Sequence, residues 1–125
     1  MNNAVISIML VEDSVAVRTR LRRLLEDIPR FRVVGEFDAA PDAIAAIGSG
    51  PPDLVLLDIK LGVGNGIEVL RYVRQHAPDT KVIVFSQHDE PEYREQFQRA
   101  GAQFFFNKTH ESGQLVATLT QIAAQ

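Results

Sequence analysis

Five times along the chain, a short run of branched apolar residues gives way to a longer segment in which apolar residues return every three or four positions. Such alternation is the mark of repeated strand-helix units around a parallel sheet. It predicts strands over Ser7 to Val11, Phe31 to Phe37, Leu54 to Leu57, Lys81 to Phe85 and Gln103 to Phe106. Most of these are apolar at consecutive positions, as strands covered on both faces require. The second, with Arg32 and Glu36 interspersed, reads as an edge.

Between the strands, Val17, Leu21, Leu24, Leu25 and Ile28 share one helical face, while Arg18, Arg22 and Arg23 lie off it. The same spacing places Ile67, Leu70, Val73 and Ala77 on one helix, Tyr93, Phe97 and Ala100 on another, and Leu115, Leu119 and Ile122 on the last. Ala43, Ile44 and Ile47 make a weaker second helix. The Gly48-Ser49-Gly50-Pro51-Pro52 stretch is long enough only for a turn. With 125 residues and 46% hydrophobic content, the reading is one α/β domain over residues 1–125.

There is no cysteine, so neither disulfides nor thiolate metal ligands are available, and a reducing cytoplasm fits. Apolar runs such as Leu54 to Leu57 and Val82 to Phe85 are far too short to span a membrane, and Met1 to Ser7 lacks a signal-peptide pattern. A net charge of -3 gives no general attraction to nucleic acid, so direct DNA binding by this chain is not expected.

In a doubly wound sheet, ligands bind beyond the carboxyl ends of the strands, where strand order reverses. Four strands finish there in reactive residues: Glu12 and Asp13, Asp58, Ser86, and Lys108. Each alone has an ordinary explanation as a helix cap, a turn former, an amide acceptor or a solvated charge. Together they form a pattern. Three carboxylates held close repel one another, and a hard dication relieves this; an all-oxygen site with open positions suits Mg²⁺, with Mn²⁺ as an alternative. Three negative carboxylates, a dication and the Lys108 ammonium sum to zero, which leaves the site able to admit a phosphoryl group.

The segments Leu10-Val11-Glu12-Asp13, Leu56-Leu57-Asp58-Ile59-Lys60-Leu61 with Gly66 following, Val84-Phe85-Ser86, and Ala100-Gly101-Ala102 leading to Phe105 and Lys108 resemble the receiver domains of two-component response regulators over essentially the whole chain. The resemblance implies a flavodoxin-like, five-stranded parallel sheet in the order 2-1-3-4-5 with five helices. It implies that Asp58 is the nucleophile that accepts a phosphoryl group from a sensor histidine kinase or histidine phosphotransfer protein. Glu12, Asp13 and Asp58, with the backbone carbonyl of Lys60, would hold the cation, Asp13 most directly. Lys108 and the Ser86 hydroxyl would contact the phosphoryl oxygens, and Phe105 would swing inward with Ser86. The surface of the fourth helix, fifth strand and fifth helix would then change, for dimerisation or target binding. Phe104 and Phe106 are expected to pack as strand aromatics.

Departures from the family pattern carry expectations too. Gly62 stands where proline is common, with Gly64 and Gly66 beyond it, which predicts a mobile loop. Gln87 follows the switch hydroxyl, where crowding of the pocket is expected. Thr109 follows Lys108 where a cis proline is common; a cis bond before threonine costs about 3 kcal/mol, so a trans bond is expected. His88 reads as a surface histidine, and the arginines of the first helix either meet a kinase or are simply solvated. Among competing classes, a phosphatase with an aspartyl-phosphate intermediate would carry an acid where Lys60 stands. A flavodoxin-type binder would not place Glu12 and Asp13 in its phosphate loop. A pseudo-receiver would lack part of the site. Turnover of an external substrate is not expected.

Overall fold

A computed structural model of the chain describes residues 4–125. Met1 to Asn3, the start of the Met1 to Ser7 segment that lacks a signal-peptide pattern, lie outside the described residues. The elements run β1 Ile6–Val11, α1 Val15–Glu26, β2 Phe31–Phe37, α2 Ala40–Ser49, β3 Leu54–Leu57, α3 Gly66–His76, β4 Lys81–Ser86, α4 Pro91–Arg99, β5 Phe104–Asn107 and α5 Ser112–Ala123. All strand pairs are parallel, in the order β2-β1-β3-β4-β5.

Side chains of a strand alternate between the two faces of its sheet, and here both faces are buried. Ile8, Leu10, Leu54, Leu56, Ile83 and Phe85 meet Leu21 and Leu25 of α1 and Leu115 and Leu119 of α5. Met9, Val11, Val55, Leu57, Val82 and Val84 meet α2, α3 and Phe97 of α4. The consecutive apolar runs are therefore two interleaved half-cores, one for each layer of helices. β2 is an edge, as its mixed composition predicts, and a bulge at Ile8/Met9 leaves Val34 unpaired and exposed.

Element limits differ from the sequence reading in instructive places. Ile28 and Ala77 stay buried but fall outside their helices, because each precedes a proline, which disfavours helical backbone in the residue before it. Ala100 caps α4, and Gly101 follows at φ +103°. β1 begins one residue earlier, at Ile6, and β4 extends to Ser86. β5 runs over Phe104–Asn107 rather than Gln103 to Phe106, because Asn107 still pairs with Ser86 although its side chain already shapes the next turn.

The Gly62 loop departs from expectation. It is tied down: the Gly62 amide donates to the Asp38 carbonyl at 3.0 Å, the Ala40 amide to Val63 at 2.9 Å, and isolated bridges join Ala39 to Val63 and Lys60 to Asn65. At the opposite pole, Arg30 sits at φ +81° and its guanidinium donates to the carbonyls of Ala4, Ala123 and Gln125. The two ends of the described chain are thereby held together. Among the described residues, no helix is long and apolar enough to cross a membrane.

Candidate functional site

Going from β1, the chain turns one way to β2 and the other way to β3, so the crevice beyond β1 and β3 is the switch point. Glu12 and Asp13 follow β1 there, and Asp58 follows β3. The backbone fixes both approaches. The Asp58 amide donates to Val11 at 2.9 Å and the Glu12 amide to Phe37 at 2.9 Å. The Glu12 carbonyl accepts from Arg18 at 2.5 Å, and Arg18 and Arg22 both pair with Glu36 of β2. These arginines of α1 brace the end of β1 against the edge strand.

Asp58 is buried, and its two oxygens have different company. Oδ1 accepts from the Ile59 amide at 2.7 Å, and Oδ2 from Lys108 Nζ at 2.8 Å. Lys108 also pairs with Glu12 Oε1, whose second oxygen accepts from the Ser14 amide at 2.9 Å. Asp13 is exposed, and one carboxylate oxygen from each of Glu12, Asp13 and Asp58 lies within 4.8 Å of the others. The donor set is all oxygen. Three carboxylates against one ammonium leave a net negative site, which fits a hard divalent cation.

Ionisation follows from this crowding. Burial pushes the Glu12 carboxyl up from its ordinary value, with the Asp58 charge adding to the effect, although Lys108 and the Ser14 amide pull the other way. Burial acts to lower Lys108, but hydrogen bonds to Asp58 and Glu12 and their charges outweigh it and raise the ammonium above its ordinary range. Lys108 is therefore a firm cation at neutral pH.

The remaining predicted residues lie on β4, on β5 and in the loops after β3 and β4. Ser86 is fully buried at the end of β4, and its hydroxyl oxygen accepts from the His88 amide at 3.1 Å, the ordinary reading set beside its expected contact with a phosphoryl oxygen. Its carbonyl accepts from the Lys108 amide at 3.1 Å. Lys60 is exposed in the bridge to Asn65, and Gln87 is also exposed. His88 is half-buried, edge-on to Tyr93 at 6.3 Å between ring centroids, so it is not a free surface residue. Phe105 is half-buried against Phe97, with the Arg94 guanidinium 4.7 Å from its ring centre. Phe104 does not pack inward. It opens the edge strand β5, is 41% exposed and stacks on Phe106 at 5.9 Å.

Residues beyond the motifs complete the site. No cis peptide bond occurs among the described residues, and the turn after Lys108 is shaped by Asn107, whose Oδ1 accepts from the Thr109 amide at 2.7 Å and the His110 amide at 2.9 Å. Glu111 Oε1 accepts from the Asn107 amide at 2.8 Å and from Arg94 at 2.5 Å. Asn107 followed by Thr109 is a legible side-chain turn. The pairing of Arg94 with Glu111 leaves no local sequence trace.

Comparison with known proteins gives this architecture its class. Residues 8–120 match the response regulator receiver domain, and the chain belongs to that family. Response regulator GacA of Pseudomonas aeruginosa is 32% identical over 119 residues, covering 95% of this chain and 56% of that protein. Response regulator UvrY of Escherichia coli is 31% identical over 117 residues, covering 94% and 54%. A crystal structure of a LuxR-family two-component response regulator from Aurantimonas sp. superposes with a TM-score of 0.86 at 31% identity, covering 97% of this chain and 86% of that one. The chain spans about half the length of the curated relatives it matches.

Proposed function

We propose that this receiver is a phosphorylation switch in which Asp58 is the phosphoacceptor. The observation that carries the reading is Asp58 itself: a buried carboxylate set beside Glu12 and Asp13 with a lysine ammonium on one of its oxygens. A carboxylate oxygen of Asp58 attacks the phosphorus of a phosphohistidine. An O–P bond forms, the P–N bond breaks, and the leaving imidazole keeps the bond's electron pair and takes up a proton. The product is an acyl phosphate on Asp58.

Phosphoryl transfer asks for alignment and charge neutralisation more than covalent assistance. The Ile59 amide holds Asp58 Oδ1 and fixes the carboxylate's rotation. Lys108, bonded to Asp58 Oδ2, would neutralise charge on the incoming group, and the buried Ser86 hydroxyl at the end of β4 would donate to it. Glu12, Asp13 and Asp58, with the Lys60 carbonyl, would hold Mg²⁺ or Mn²⁺. Such an ion, when bound, offsets the negative charge of the carboxylates and the phosphoryl oxygens. The acid that a phosphatase of the aspartyl-phosphate type would need is replaced by exposed Lys60, which supports a switch rather than turnover of external substrates.

A sensor histidine kinase or histidine phosphotransfer protein in the cytoplasm is the proposed donor. That the chain spans about half the length of its response regulator relatives supports a role as the input module of a longer regulator, here proposed to be transcriptional, with the α4-β5-α5 surface carrying the response through Ser86 and Phe105. Intact mass after incubation with acetyl phosphate tests the reading. A Mg²⁺-dependent gain of one phosphoryl group in the wild type, absent in Asp58→Asn, is expected. No adduct in the wild type, even with cold quenching, overturns it.

A further inference from the structure

We infer that Arg94 and Glu111 form a clasp that holds the unphosphorylated arrangement of the β5–α5 loop, so that they are positioning residues acting against phosphorylation of Asp58. The inference rests on the phosphoacceptor reading and deepens it.

The contacts form a continuous chain across separate elements. Arg94, on α4, donates to the Phe105 carbonyl of β5 at 3.2 Å and lies over the Phe105 ring. It pairs with Glu111 at 2.5 Å and reaches Asp89, in the β4–α4 loop, at 3.7 Å. The same Glu111 oxygen accepts from the Asn107 amide, and the Glu111 amide donates back to the Asn107 carbonyl at 2.9 Å. Asn107 is buried, and its neighbour Lys108 is the residue that touches Asp58. A guanidinium has a planar fork of donors and a flat face. Arg94 uses both at once.

Lys108 is held between Asp58 and Glu12 in this arrangement. A phosphoryl group on Asp58 adds charged oxygens that draw on the Lys108 ammonium and on the Ser86 O–H, whose oxygen accepts from the His88 amide. Inward movement of the β4–α4 loop with Ser86 is resisted by Arg94, which ties Asp89 of that loop to Glu111 and to the Phe105 carbonyl. A contact made in one state and weakened in the other shifts the balance between them. The clasp therefore opposes the phosphorylated arrangement, and loosening it favours the modification.

The test uses beryllofluoride with Mg²⁺ as the acyl-phosphate stand-in, on wild type, Arg94→Ala, Glu111→Gln and the double variant. Each single variant is expected to bind beryllofluoride about fivefold more tightly, at the low end of typical coupling between sites. The double variant should gain no more than the singles, because they break one contact. Denaturant unfolding supplies a second readout: the Arg94/Glu111 coupling in a double-mutant cycle should be present without beryllofluoride and shrink with it. A purely structural pair would keep its coupling in both forms. Glu111→Gln retains the side chain's shape, so its fold is expected to survive. Folded variants that bind at wild-type affinity or more weakly overturn the clasp alone. A wild type that takes no beryllofluoride overturns the phosphoacceptor reading, and the clasp falls with it.

Discussion

A Cβ on residue 66 would lie 2.2 Å from the Asp58 carbonyl oxygen and 3.2 Å from its carbon. The first turn of α3 thus runs against the backbone of the proposed phosphoacceptor, with the Gly66 amide donating to Ile59 at 2.6 Å. Glycine is required here by proximity, since no other side chain leaves room for a backbone at that distance. Gly66→Ala is expected to lower stability by about 1–3 kcal/mol through overpacking, and to slow labelling of Asp58 by acetyl phosphate as its loop shifts. Urea unfolding and intact mass measured on one preparation check both effects. Wild-type stability together with a wild-type rate would mean that the loop yields without moving the carboxylate.

At the scale of elements, the β5–α5 connection decides how Lys108 is presented. Glu111 is held below the ordinary carboxylate range by the Asn107 amide first, then by Arg94. A carboxyl lowered on folding stabilises the protein above its unfolded value of 4.5, and that contribution disappears as pH falls through the lower folded value. Glu111→Gln is therefore expected to cost about 1 kcal/mol or less at neutral pH, and the difference from wild type should vanish in acid. Urea midpoints for both proteins across that range test it; a gap that persists in acid would separate the loss from the charge. The strands themselves were legible, because consecutive branched residues have few other uses, and so were the strand-end residues Glu12, Asp13, Asp58, Ser86 and Lys108. Asn107 was not legible as a strand residue, because a polar side chain before a turn reads as a stop. The clasp was invisible because residues 94 and 111 belong to different elements and meet only once α4 and α5 flank β5.

For the whole molecule, folding gathers Glu12, Asp13 and Asp58 within 4.8 Å, while an unfolded chain disperses them. A cation that binds only the folded form stabilises it by mass action, about 2.7 kcal/mol at a hundred times Kd. Mg²⁺ is thus expected to raise Tm by several degrees in the wild type, and by clearly less in Asp13→Asn. Asp13→Asn without metal should melt no lower than the wild type, since it removes a like charge from an acidic cluster. A Mg²⁺ increment of equal size in both proteins would remove Asp13 from the proposed metal site. Differential scanning calorimetry reads all four conditions.

The Arg30 knot gives the molecule a handle. Because it gathers Ala4 and Gln125 at the amino ends of the strands, the acidic crevice faces away from both, across a sheet about 20 Å deep. A tether attached at either end would hold the receiver like a lamp on a cord, with its bright face turned outward. A visiting protein can then approach that face without first pushing aside whatever the tether is fastened to.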